Sequence, residues 1–127
     1  MNTTATISRI DRRFIVDRQG REAVLYAGLL DLAHRQGLKG IRTQLVQAPA
    51  EANGWTAIVW AEVTTETGTY TGIGDANPAN VGRMVALHTI RMAETRAKAR
   101  ALRDCLNIGG VCLEELGPES DRVRPVR

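Results

Sequence analysis

Much of what protein chemistry usually draws on is scarce in this chain. Of its 127 residues, the aromatics are two Trp, two Tyr and one Phe, so a core must be built mainly from aliphatic side chains. Its two cysteines, Cys105 and Cys112, fit neither a redox CxxC pair nor a zinc-ligand spacing, which leaves them as reduced, half-buried thiols. His34 and His88 stand far apart, and a lone histidine on a helix is a weak basis for catalysis. Asp75, Glu114 and Glu115 are the sole candidates for a metal-dependent hydrolase, so neither an enzyme, a metal nor a cofactor is expected. No apolar run is long enough to cross a bilayer, and the N-terminus lacks a signal-peptide pattern; a cytoplasmic protein with no membrane partner is the expectation. One sign of charge is also missing over a long stretch. Between Arg42 and Arg83 there is no Lys or Arg, while Glu51, Glu62, Glu66 and Asp75 give that segment −4.

With a formal net charge of +3 overall, the remainder carries +7, and such segregation suits a polyanion on one side. Lys39 and Lys98 are the only lysines among 17 basic residues. The rest are arginines, whose planar forks fit phosphate bidentately and stack on bases. Six of the basic residues fall between Asn77 and Asn107, a stretch that reads as one long helix. Asn77 is a good N-cap, Pro78 suits the first helical position, and Asn107 with Gly109 and Gly110 marks the end. At helical periodicity Val81, Val85, Met92, Ala99, Leu102 and Leu106 form an apolar stripe. Arg96, Arg100 and Arg103 flank it on one side; Arg83, Arg91 and Lys98 flank it on the other. The opposite face holds Ile90, Ala93, Ala97 and Ala101, too apolar and small to be simply solvated, and is the expected contact between subunits. Glu94 with Lys98, and Arg100 with Asp104, stand four apart and are expected to pair. Arg96 and Arg103 have no acidic residue at that spacing and are expected to be the freest cations.

Upstream, Phe14–Val16 reads as a short strand, and Arg21–Gln36 as an apolar helix ended by Gly37. Three strands follow: Lys39–Gln47, Trp55–Thr65 with strict alternation, and Thr69–Ile73. Asn53-Gly54 favours the first hairpin turn. Gly72-Ile73-Gly74 before the long helix faintly resembles a phosphate cradle. It lacks a Walker lysine and the third glycine of a dinucleotide site, so a tight strand-to-helix turn is the better reading. Trp55 and Trp60 lie on opposite faces of one predicted strand, so at most one would face solvent. The expected fold is α+β: a three-stranded antiparallel meander with one helix before it and a long helix after it. Residues 1–9 and 117–127 are expected to be flexible, with one domain at 10–116.

Gly72-Ile73-Gly74-Asp75, then Arg91-Met92-Ala93-Glu94-Thr95-Arg96-Ala97-Lys98-Ala99-Arg100-Ala101-Leu102-Arg103, then Asn107-Ile108-Gly109, form a pattern over this order of elements. The chain resembles the DNA damage response protein A (DdrA)-like proteins of bacteria and phages, in the Rad-fifty-two family of single-strand annealing proteins. The likeness extends back through Phe14–Val16 and Tyr26–Leu30 and forward to Leu113–Leu116, covering residues 10–116. It implies a β-β-β-α core, assembly into a closed homo-oligomeric ring, and single-stranded DNA held in a basic groove. Arg100 and Arg103 match the basic positions of the family's Arg-Ala-Leu-Arg segment; Arg96 shares their edge, and Lys98 substitutes for a basic residue where this chain has Ala99. The expected function is therefore sequence-independent binding of single-stranded DNA, with annealing or end protection, alongside other repair or recombination proteins. The long C-terminal extension by which eukaryotic members recruit a recombinase has no counterpart, so recombinase loading is not expected. The alternative is an oligomeric protein-interaction module of the same fold that does not bind DNA.

Overall fold

In the computed structural model, residues 9–81, 88–109, 112–116 and 123–125 are described. The chain opens with a 3-10 turn at Arg12–Phe14 and a hairpin of β1 (Ile15–Arg18) and β2 (Arg21–Val24). Gln19 and Gly20 both have positive φ, the twist that a two-residue hairpin loop demands, and Asp17 Oδ1 accepts from the Gly20 N–H at 2.8 Å. The first helix, α1 (Tyr26–Arg35), therefore starts five residues later than periodicity suggests. Arg21–Val24, expected as its first turn, is β2 instead, because pairing with β1 satisfies its backbone. Leu25 supplies no side-chain cap to α1; the Tyr26 N–H donates to Glu114 Oε1 at 2.7 Å, a cap from 88 residues away.

β3 (Leu38–Gln47), β4 (Ala57–Thr65) and β5 (Gly68–Ala76) form the expected antiparallel meander, in the order β3-β4-β5. Alternation in β4 has its predicted meaning: Ala57, Val59, Ala61 and Val63 are buried, while Ile58, Trp60, Glu62 and Thr64 are half-buried on the other face. Gly72 and Gly74 are not a turn. They lie within β5, opposite Ala61 and Val59, under the second helix, α2 (Thr89–Leu106). A Cβ on Gly72 would lie 2.6 Å from the Ala97 carbonyl oxygen and 2.7 Å from the Ala101 nitrogen; one on Gly74 would collide with the Ala93 carbonyl. The two glycines let the helix backbone rest directly on the strand, and the helix meets them with Ala93, Ala97 and Ala101, all at 0% exposure.

That contact corrects the expected subunit interface. Ala93, Ala97 and Ala101 are the seam between α2 and the sheet, leaving Ile90, 45% exposed, as the sole member of the set at the surface. The expected stripe is buried as well: Val81, Ala99, Leu102 and Leu106 are inside and Met92 is half-buried, while Val85 lies outside the described residues. α2 is thus packed on two flanks, one against the sheet, the other in a core with Leu29, Leu32 and Ala33 of α1 and Ile15 and Val24 of the hairpin. Sequence periodicity marks one flank as core; the second reads as a subunit contact because the glycines that receive Ala93, Ala97 and Ala101 lie on a distant strand.

Asn77 caps a single turn, with Oδ1 accepting from the N–H groups of Ala79 and Asn80 at 2.9 and 3.0 Å. The described helix begins at Thr89, and residues 82–87 of the expected one, Arg83 included, lie outside the described residues. Its end matches expectation: Asn107 adopts the left-handed conformation and the Ile108 N–H reaches the Arg103 carbonyl at 2.9 Å. Arg9 Nη2 donates to the Leu106 carbonyl at 2.7 Å, so residue 9 belongs to the fold rather than to a loose N-terminus. After a 3-10 turn at Leu113–Glu115, β6 (Val123–Pro125) pairs antiparallel with β1, so part of the expected loose tail belongs to a second sheet, β2-β1-β6. Among the described residues no helix is long and apolar enough to cross a membrane.

Candidate nucleic-acid interface

Because α2 is packed on two flanks, its Arg96, Arg100 and Arg103 lie in the angle between them, on the side of β5 away from β4. There they meet acceptors from distant parts of the chain. Arg96 is 4% exposed. Its Nη1 donates to the Asp75 carbonyl at 2.8 Å and to Asn80 Oδ1 at 3.1 Å; its Nη2 donates to the carbonyls of Asn80 at 2.8 Å and Leu116 at 3.2 Å. Burial, followed by the neighbouring Arg100 charge, lowers its pKa from the usual guanidinium value. Expected as a free cation, Arg96 is instead a clamp joining β5, the Asn77–Asn80 turn and the Leu113–Leu116 segment. It has no donor left to offer a ligand except a buried Nε without a partner.

Arg100 is less enclosed, with 37% of its side chain exposed. Its Nη1 donates to the Ile73 carbonyl at 2.8 Å and lies 3.8 Å from Asp75 Oδ1. Its Nε is 3.4 Å from Glu115 Oε1. The same carboxylate oxygen accepts from Arg103 Nη2 at 2.6 Å, and the Arg103 side chain is 21% exposed. Glu115 Oε2 accepts from the Cys112 N–H at 2.8 Å. The expected partner of Arg100, Asp104, is displaced by Asp75 and Glu115, contacts that no i, i+4 rule anticipates. Three guanidinium groups against the carboxylates of Asp75 and Glu115 leave this cluster with one positive charge in excess.

Lys98 is not part of the row. It lies on the far side of the helix, 3.7 Å from Glu94 as expected and with Nζ 5.4 Å from the centre of the Tyr26 ring. Burial, then the nearby Cys112, Glu94 and Glu114, raises the Tyr26 phenol pKa to about 12. Cys112 is buried and Cys105 half-buried, both free; burial raises both thiol pKa values, and Glu114 and Glu115 push Cys112 further. Two further arginines approach the row from a part of the chain that periodicity could not connect to it. Arg18 and Arg21, on either side of the β1–β2 turn, line a groove of about 510 Å³ with Gln19, Glu22, Ala23 and Leu116. The signal in the sequence was Arg18-Gln19-Gly20-Arg21, a hairpin turn bracketed by cations. Leu116, next to Glu115 and bonded to Arg96, joins that groove to the row.

Elsewhere several apolar side chains stand at the surface among charged ones. The sheet face away from α2 shows Trp60 with the Arg42 guanidinium 5.6 Å from its ring centre, and Ile73 at 61% exposure. Trp55 precedes β4 rather than joining it, and both tryptophans reach solvent in part, Trp55 more than Trp60. Trp55 is 53% exposed with φ 57°, an unusual conformation for so large a residue. Asn53 holds the loop in place: its Oδ1 accepts from Ala50 N and Thr56 N, and its Nδ2 donates to the Ala48 carbonyl, each at 3.0 Å. Leu45 and Val46 at the end of β3 are also exposed. Among the described residues no three of the His, Cys, Asp and Glu side chains are gathered as metal ligands. No family model, curated protein or solved structure matches the chain.

Proposed function

We propose that this protein binds single-stranded DNA without regard to sequence and, as a homo-oligomeric ring, anneals strands or protects DNA ends in repair and recombination. The observation that carries the reading is the arginine row: Arg100 and Arg103 share one helix edge, keep part of their surface in solvent, and outnumber their acidic partners together with Arg96. Arg18 and Arg21 extend the positive surface across the adjoining groove. Arginine contacts to phosphate hold a strand in register without reading its bases. Arg96 positions this surface from within, and Lys98 takes no part in it. Neither nucleotide nor metal enters the scheme.

The experiment is fluorescence anisotropy on labelled oligo-dT over a range of salt concentrations, with light scattering to follow mass. Arg100→Ala and Arg103→Ala are each expected to weaken binding of any sequence and to flatten the log-affinity against log-salt slope by about 0.7. If both variants bind as the parent does and keep its mass, the row is not a DNA site. A second reading then takes over, an oligomeric interaction module without DNA. It is favoured by the exposed Leu45, Val46 and Trp55 and by the loop that Asn53 braces.

A further inference from the structure

Within the arginine row lies a buried anion. The Glu115 side chain is 1% exposed, below both of the arginines it touches. One of its oxygens is shared between Arg103 at 2.6 Å and Arg100 at 3.4 Å, and the other is fixed by the Cys112 N–H. Two guanidinium groups meeting one carboxylate oxygen, each through a single nitrogen, form an arrangement that also suits a DNA phosphate, because carboxylate and phosphate oxygens accept the same donors in similar geometry. We propose that Glu115 is an internal stand-in for a phosphate, and that its side chain, carried by the fixed segment Cys112–Leu116, is a latch which nucleic acid must displace to engage Arg100 and Arg103 fully. This rests on the reading of the row as a DNA site and adds how that site is regulated.

A strand approaching from solvent meets Arg100 first. It engages Arg103 Nη2, the nitrogen that holds the carboxylate, only by taking the place of Glu115 Oε1. Exchanging one charge-assisted contact for another is close to balanced, so the apparent affinity is lowered by whatever fraction of the protein holds the latch shut. The segment that carries the latch is fastened at defined points: Glu114 caps α1 through the Tyr26 N–H, Cys112 bridges to Val24, and the Leu116 carbonyl accepts from Arg96. Releasing Glu115 leaves those fastenings in place but frees the Cys112 N–H, which then reports on the state of the latch.

Two measurements test this. Glu115→Gln keeps an acceptor for the Cys112 N–H but gives up the charge that competes with phosphate; it is expected to bind oligo-dT about tenfold more tightly. Glu51→Gln, the same charge change on the loop that Asn53 braces, is expected to gain less than about twofold. In the unsubstituted protein, hydrogen exchange at Cys112 is expected to speed up when oligo-dT binds, while exchange along α2 slows. If the parent binds in a salt-dependent way but Glu115→Gln gains nothing, or Cys112 exchange stays unchanged or slows, the latch is refuted and the DNA reading stands. If neither protein binds oligo-dT at low salt, both ideas fall. Should Glu115→Gln not fold, hydrogen exchange on the parent decides alone.

Discussion

Replacing Arg96 with alanine is expected to damage the fold rather than the DNA contact. The guanidinium makes four hydrogen bonds, to the carbonyls of Asp75, Asn80 and Leu116 and to Asn80 Oδ1, at 2.8 to 3.2 Å. Each hydrogen bond to a charged group contributes about 1.5–3 kcal/mol, but the guanidinium also gives up hydration that it regains nowhere else. Breaking such a buried network from one side costs about 3–5 kcal/mol. For a domain of this size each kcal/mol moves Tm by about 3–5 °C, so the melt followed by circular dichroism is expected to fall by roughly 10–20 °C. Arg96→Lys keeps the charge but places a single ammonium where a fork reached four acceptors, and is expected to lose about half as much. Measured where both proteins are folded, Arg96→Ala should leave the salt slope of oligo-dT binding unchanged, in contrast to Arg100→Ala. A Tm within about 3 °C of the parent, together with a flatter slope, would refute the reasoning: Arg96 would then be a phosphate contact and not a clamp.

Gly72→Ala introduces a methyl group 2.6 Å from a helix carbonyl, which only a shift of α2 relieves, and is expected to cost about 1–3 kcal/mol in urea unfolding; Thr67→Ala, in the exposed turn before β5, should cost far less. Tyr26 has a folded pKa of about 12, above its unfolded value of 10.0, so stability is intact below pH 10 and is lost as pH rises toward 12. Tyr26→Phe is expected to flatten that decline and to remove a phenolate absorbance transition near pH 12. Both thiols have raised pKa values, and Cys112 is the more buried; under native conditions iodoacetamide is expected to label Cys105 first, with Cys112 reacting only after urea.

The meander is legible in the sequence because β4 buries alternate residues, and the end of α2 is legible because asparagine, here Asn107, tolerates the left-handed conformation that closes the helix. What the sequence hides is non-local. Arg96 and Arg103 look unpaired there, and Arg100 looks paired with Asp104, since the true acceptors of all three, on Ile73, Asp75, Asn80, Glu115 and Leu116, are 12 to 27 residues away, and several are backbone carbonyls with no side-chain signature. β2 reads as part of a helix because Arg21-Glu22-Ala23-Val24 is compatible with either state, and only pairing with β1 decides it. β5 reads as ending at Ile73 because glycine ordinarily ends strands; here two glycines continue one, for the sake of the helix lying across it. Glu115, the group that organises the row, gives no sign beyond being one of two adjacent acids.

The bonds from Arg100 to the Ile73 carbonyl and from Arg96 to the Asp75 carbonyl make the two borders of the main sheet unequal. On β5 these guanidinium groups occupy main-chain acceptors that an incoming strand would need, a way of blunting a sheet edge against unwanted pairing. Among the described residues β3 has no strand on its outer side, and Leu45 and Val46 are exposed near its end. Lengthening the sheet from one copy to the next in a single direction requires the β3 border of one molecule to meet the β5 border of another. Arginine obstructs that meeting, whereas two β3 borders meet face to face about a two-fold axis and stop at a pair. A ring of these molecules therefore cannot be a continuous sheet unless the arginines let go of β5. Were a ring to form, its closure would fall to side chains elsewhere on the surface, and Arg100, the one of the two proposed to touch DNA, would at the same time bias which way the molecules can join.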